Sequence, residues 1–325
     1  LHFSPLQIMK ELIKFCFASK REKMAIGFGA LLSVLYGLIY PSHVYLTGVI
    51  ATMYINATNP QGNDEFFYII LSLGSVYGIL SFFNFILGFL ENYTYQWASE
   101  RIAETIRSRY IASVLLQDAS SIDKSNTGKL SNRLSSNIDR IKDAIGDKIG
   151  MFIRSMTIFI SGSVISFMLD WRTTLMLSWS GIICLVCSAL IPKLSGKDVK
   201  RTIKISEEAN GVSEESILNV KTVQSCNGQR TMIEKYSSIL HKGVGPATRV
   251  GLVSGLADGT SEFLNSLFHC IGIWYGTVRY HEGHTIEAGM IFAVTSLAVE
   301  SAQCFTQIGP HLMSVMKARA AAASV

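Results

Sequence analysis

The chain has 325 residues, 49% of them hydrophobic and only 16% charged, with a net charge of +5 and a positive mean hydropathy. A soluble domain carries roughly 25% charged residues, so this composition argues against a soluble fold. Six cysteines with none in an expected external loop argue against a disulfide framework, and the arrangement of the positive charges argues against nucleic acid as a partner.

In chain order, residues 1–23 read as an interfacial elbow helix, because "SPLQIMKELIKFCF" places Ser4 at an N-cap and Pro5 at the first helical position above a basic polar face. No cleavable signal peptide is expected there. Apolar stretches long enough to cross about 30 Å of hydrocarbon follow at about 24–45, 66–90, 149–169, 173–190, 252–275 and 290–313. The predicted fold class is therefore an all-α membrane protein of six transmembrane helices with long cytoplasmic helical extensions. Of the 29 Lys and Arg, only Arg154, Arg172 and Arg279 fall outside the segments of one side. The positive-inside bias puts both termini and both long connections in the cytoplasm.

Those two connections, 91–148 and 192–249, read as helical hairpins. Between Trp97 and Leu115 the apolar positions Ile102, Ile106, Tyr110 and Val114 recur every four residues, and Leu134, Ile138, Ile141, Ile145 and Ile149 continue the same periodicity into span three. A helix from Phe66 to about Gln117 would be roughly 75 Å long, with about 40 Å beyond the bilayer. "DASSIDKSNTGK", Asp118 to Lys129, is the expected first turn, and Asn227-Gly228 marks the second. "NAT" at Asn56 to Thr58 is an N-glycosylation sequon in the longest external loop, whereas "NYT" at 92–94 would face the cytoplasm unmodified. "CLVC" at 184–187 lies in an apolar helix and reads as packing.

Ionisable residues inside spans carry a functional reading. Glu262, Asn265 and His269 share one face of span five; Glu300, Gln303 and Gln307 share one face of span six, with His311 a further turn on. Those faces are expected to line a cavity or to pack helices. No P-loop is present: "TGKL" lacks the first glycine and the final hydroxyl that hold phosphate and magnesium. The segment is expected to bind no cofactor or metal and to carry no catalytic residue.

"TGKLSNRLSSNIDRIKDAIGDKIGMFIRSM", "VKTVQSCNGQRTMIEKYSSIL" and "IGIWYGTVRYHEGHTIEAGMIFAV" resemble, in order and spacing, segments of the ATP-binding cassette (ABC) exporters of the P-glycoprotein and multidrug-resistance (B) family. The resemblance implies a type I exporter transmembrane domain over 24–316. Residues 317–325 would begin a linker to a nucleotide-binding domain outside this sequence, where ATP and Mg would bind. It implies a second six-helix domain as partner, contact with membrane lipid, a plasma-membrane location, and alternating access for small amphipathic or lipid-like substrates. Asp118, Ser121, Ile122 and Asp123 in one hairpin, and Val220, Lys221, Val223 and Cys226 in the other, would be the coupling segments. They lack the family's aromatic anchors, which supply large buried area at interfaces. In the multidrug members phenylalanines stand where this chain has Thr295, Ser296 and Gln303, so a more polar cavity is expected, and Glu262 and Glu300 would favour a cationic amphiphile. The alternative is an ABC-like membrane protein without a motor, acting as a scaffold or regulator through its hairpins.

Overall fold

A computed structural model describes residues 19–56, 63–116, 137–283 and 287–322. Among them there is no strand. The helices are α1 (Lys20–Asn56), α2 (Asn63–Leu115), α3 (Ile138–Leu169, with a π turn at Ala144–Lys148), α4 (Trp171–Leu194), α5 (Gly196–Leu218), α6 (Val220–Ser225), α7 (Gln229–His281) and α8 (Ala288–Ala322). Helix α2 is one unbroken rod of 53 residues.

Among the described residues, α1, α2, α3 and α8 are long and apolar enough to cross a membrane. Six such helices were expected. The fourth expected span falls on α4, where Trp171–Cys187 forms a shorter apolar run. The fifth falls within α7, whose apolar stretch is interrupted by Asp258, Glu262, Asn265 and His269. Polar residues at that density lower the mean hydropathy of any 18-residue window, although the helix is continuous.

The chain divides into two compact units, residues 1–181 with 269–325, and residues 182–268. In the first, Tyr95, Ala98 and Ile102 of α2 pack against Ile141, Ile145 and Ile149 of α3, with Ile26 of α1 and Val315 of α8 closing the cluster. The four-residue spacing seen in the sequence is what stacks these side chains on facing stripes. Glycine permits the closest approach: a Cβ at Gly150 would come 2.7 Å from the Tyr95 ring, and one at Gly29 would come 3.0 Å from it. Small residues at helix crossings suit a bundle in lipid, where apolar burial alone does not drive association.

Pro41 lies inside α1 and has no N–H, so it leaves the Gly37 carbonyl without its helical donor. The Ser161 hydroxyl of α3 supplies one, shared between that carbonyl at 3.0 Å and the Thr157 carbonyl of its own helix at 2.7 Å. This repair keeps α1 continuous beside the residues that form the site below.

The second unit is the hairpin of the end of α4, α5, α6 and the first part of α7. Of its described residues, only Ser195, Ala209, Val212 and Gly243 are buried. Its tip is a tight turn: Asn227 adopts φ 50°, a left-handed conformation that asparagine tolerates, and the Gly228 amide donates to the Val223 carbonyl at 2.8 Å.

Candidate functional site

Three helices of the first unit each turn one face toward a cleft of about 400 Å³. Helix α1 supplies Tyr36, Tyr40, His43 and Thr47, α2 supplies Tyr77, Ser81 and Asn84, and α8 supplies Phe292, Ser296 and Glu300. The intervals of three and four residues in each set are those of a single helical face. Thr47 and Ser81 donate back to the carbonyls of His43 and Tyr77, both at 2.9 Å, and so spend their protons within their own helices. Tyr40 and Glu300 lie on facing walls of this cleft, and His43 stands edge-on to Tyr77 with ring centroids 5.1 Å apart.

His43 Nε2, Asn84 Oδ1 and Glu300 Oε2 are buried without a hydrogen-bond partner, and all three residues line this cleft. Buried polar atoms are nearly always paired, and an orphan costs about 1–3 kcal/mol. Three in one place mark a surface suited to a polar ligand.

A second cleft, of about 640 Å³, adjoins the first by sharing Tyr36 and Asn84. Its α2 wall carries Phe85, Phe89 and Tyr93 together with Asn92 and Gln96, and Arg154 of α3 faces them. The Arg154 guanidinium lies 5.3 Å from the centre of the Tyr36 ring and 3.5 Å from Glu91 Oε2. Ser33 donates to the other Glu91 oxygen at 3.0 Å. The Cys304 thiol, one turn along α8 from Glu300, lies within electrostatic reach of both Glu300 and Arg154.

The sequence model of the family described as "ABC transporter transmembrane region" matches residues 26–300. The chain belongs to that family. It is similar to P-glycoprotein 14 of Caenorhabditis elegans, 28% identical over 317 residues that cover 96% of this chain and 23% of the relative. It is also similar to Multidrug resistance protein pgp-1 of the same organism, 25% identical over 95% of this chain and 24% of the relative. ATP-binding cassette sub-family B member 5 of Mus musculus is 25% identical over 96% of this chain and 26% of its own length. The chain thus spans about a quarter of the length of these relatives. It is a multi-pass membrane segment, an ABC transporter transmembrane region similar to those of P-glycoprotein relatives.

Within this ABC domain the expected cavity residues separate. Ser296 and Glu300 line the first cleft, and His269 lies within electrostatic reach of Glu300. Thr295 does not line it: that side chain is fully buried in the space left by Gly272, where a Cβ would come within 2.9 Å of its hydroxyl oxygen. Gln303 is half-buried and Gln307 exposed, and neither lines either cleft. Glu262 and Asn265 belong to the second unit, with Glu262 exposed.

Of the expected coupling residues, Val220, Lys221 and Val223 lie on the short helix α6 and Cys226 caps it, all exposed or half-exposed at the hairpin tip. Asp118, Ser121, Ile122 and Asp123 lie outside the described residues, as does most of the "NAT" sequon, Asn56 being the last residue of α1.

Sequence reasoning missed Tyr36, Tyr40, His43, Tyr77, Asn84 and Arg154 as site residues. A signal existed in the 4, 3, 4 spacing of Tyr36, Tyr40, His43 and Thr47, a polar stripe on an otherwise apolar span.

A third polar cluster, at the turn joining α3 to α4, is closed. Arg279 Nη1 donates to both Asp170 oxygens at 2.6 and 2.7 Å, and the Thr173 hydroxyl also donates to this carboxylate. Burial pushes the Asp170 carboxyl up, but the Thr173 bond and the Arg279 guanidinium outweigh it and hold the group below its ordinary value.

Proposed function

We propose that this domain forms part of the substrate path of an ATP-driven exporter that moves small amphipathic or lipid-like molecules by alternating access. The observation that carries the reading is the group of three unpartnered polar atoms that line one cleft between α1, α2 and α8. A bundle serving only as a scaffold has no use for that cost, whereas a binding surface recovers it when a ligand arrives. The family membership supports the rest. Nucleotide-binding domains would supply ATP hydrolysis, a second six-helix domain would complete the cavity, and α6 would be one of the elements that transmit the motion. In this reading the protein sits in the plasma membrane with its hairpins in the cytoplasm, and ATP and Mg bind outside this segment.

The test uses the polypeptide at its native length, reconstituted in inside-out vesicles. ATP-dependent accumulation of an amphipathic fluorophore is expected, with Glu300→Gln changing the concentration for half-maximal transport several-fold. Accumulation that is independent of ATP, or no accumulation by folded protein, would sink the reading.

A further inference from the structure

We propose that the joined clefts select zwitterionic amphiphiles, seating the ligand's ammonium group at Glu300 and its anionic group at Arg154. The proposal deepens the reading of the clefts as part of a substrate path and rests on it.

Glu300 Oε2 is buried without a hydrogen-bond partner, and Glu300 shares its cleft with the rings of Tyr40 and Tyr77. A carboxylate beside aromatic faces suits an ammonium group, which gains from the charge and from the ring quadrupoles together. This accounts for one end only. At the other, a guanidinium has five N–H donors, yet the contact from Arg154 to Glu91 is 3.5 Å, well beyond the 2.7–2.9 Å of a strong charge-assisted bond. Tyr36 packs against the Arg154 guanidinium and lines both clefts, and the arginine keeps donor capacity toward the second cleft. The cleft that holds Glu300 and the cleft that holds Arg154 share Tyr36 and Asn84, so the two charges belong to one neighbourhood. Phe85 and Phe89, 69% and 61% exposed, offer an apolar wall for a tail. A simple cation meets Glu300 but also the field of Arg154, and a simple anion meets the reverse. A headgroup with both charges complements both ends, and specificity follows from that difference.

Binding to the native-length protein in nanodiscs tests this with three probes that share one tail, each below its micellar concentration: dodecylphosphocholine, dodecyltrimethylammonium and dodecyl phosphate. The zwitterion is expected to bind roughly tenfold more tightly than either single charge, about one charge-assisted contact's worth. Glu300→Gln should erase its advantage over the phosphate, and Arg154→Gln its advantage over the trimethylammonium. Arg154→Lys should keep the latter advantage, and the double variant Glu91→Gln, Arg154→Gln should lose it with no unpaired buried charge left to unfold the bundle. Equal binding of zwitterion and cation by the wild type, or a preference unchanged in both Arg154→Gln and the double variant, overturns the proposal. If ATP-driven transport persists while the zwitterion shows no preference, the selectivity fails and the exporter reading stands. If ATP-driven transport is absent as well, both fail.

Discussion

Two ion pairs of one bundle, Asp170–Arg279 at the turn between α3 and α4 and Glu91–Arg154 on α2 and α3, show how burial and saturation divide structural from available chemistry. Both carboxylates are nearly inaccessible, at 5% and 2% side-chain exposure. Asp170 is saturated, taking two bonds from Arg279, one from the Thr173 hydroxyl, and longer ones from the Arg172 and Thr173 amides. Glu91 has a firm bond only from Ser33, and its other oxygen faces Arg154 at arm's length. The first pair has nothing left to offer a ligand. The second keeps a cation a quarter exposed at the edge of an aromatic cleft.

Breaking the saturated pair should have the largest effect. Arg279→Leu leaves a buried carboxylate without its counter-charge, and removing one partner of such a pair costs about 3–5 kcal/mol. A large drop in the thermal midpoint of the native-length protein is expected, partly restored by adding Asp170→Asn; a midpoint within two degrees of wild type would show that the clamp is dispensable. The pH dependence has a definite sign. Because the folded carboxyl of Asp170 is held below its ordinary value, its stabilisation is complete at neutral pH. It fades only as pH falls from the unfolded aspartate value, about 3.9, through the lower folded one. The midpoint gap between wild type and Asp170→Asn should therefore close only in that acidic window, and a gap that closes near pH 6 would point to another group.

The looser pair should respond less. Arg154→Met leaves Glu91 with Ser33 as its remaining donor, and the expected cost is that of an under-satisfied buried group, about 1–3 kcal/mol. Measured beside Arg279→Leu in the same bilayer, a smaller midpoint shift sharpens the contrast. A loss as large as that of Arg279→Leu would mean that the 3.5 Å separation understates the bond.

The two pairs also mark what sequence could and could not reveal. The all-α membrane class was legible from apolar length and from the four-residue rhythm of Ile102, Ile106, Ile141 and Ile145, since periodicity is a property of a single helix. Glu300 was legible as a cavity candidate for the same reason, whereas Ser296 became one only through the resemblance of span six to the multidrug members. Which residues of other helices face them is a matter of rotation and register between helices, which no local pattern encodes. Thr295 and Ser296 are neighbours on α8, yet one is buried against Gly272 and the other opens onto the cleft. Arg154 drew notice only as an odd charge beside a span, because its partners Tyr36 and Glu91 lie more than 60 positions away in sequence. Glu262 was grouped with Glu300 by chemistry, and the division of the chain puts them in separate units.

The smallest expected effect tests whether distance or burial gives the clamp its strength. Arg107 Nη2 and Asp139 Oδ1 are 2.6 Å apart, as close as Arg279 and Asp170, but their side chains are 42% and 54% exposed. Water screens such a pair and the two long side chains lose rotamer freedom to hold it, so exposed pairs contribute about 0–1 kcal/mol. Arg107→Ala should shift the midpoint by no more than a degree or two, and a double-mutant cycle with Asp139→Ala should return a coupling near the lower end of that range. High salt should remove what coupling there is while leaving the Asp170–Arg279 coupling nearly intact, because ions reach one pair and not the other. A coupling for Arg107 as large as that for Arg279 would mean that contact distance alone sets pair strength here, and the distinction drawn between the closed clamp and the available arginine would lose its physical basis.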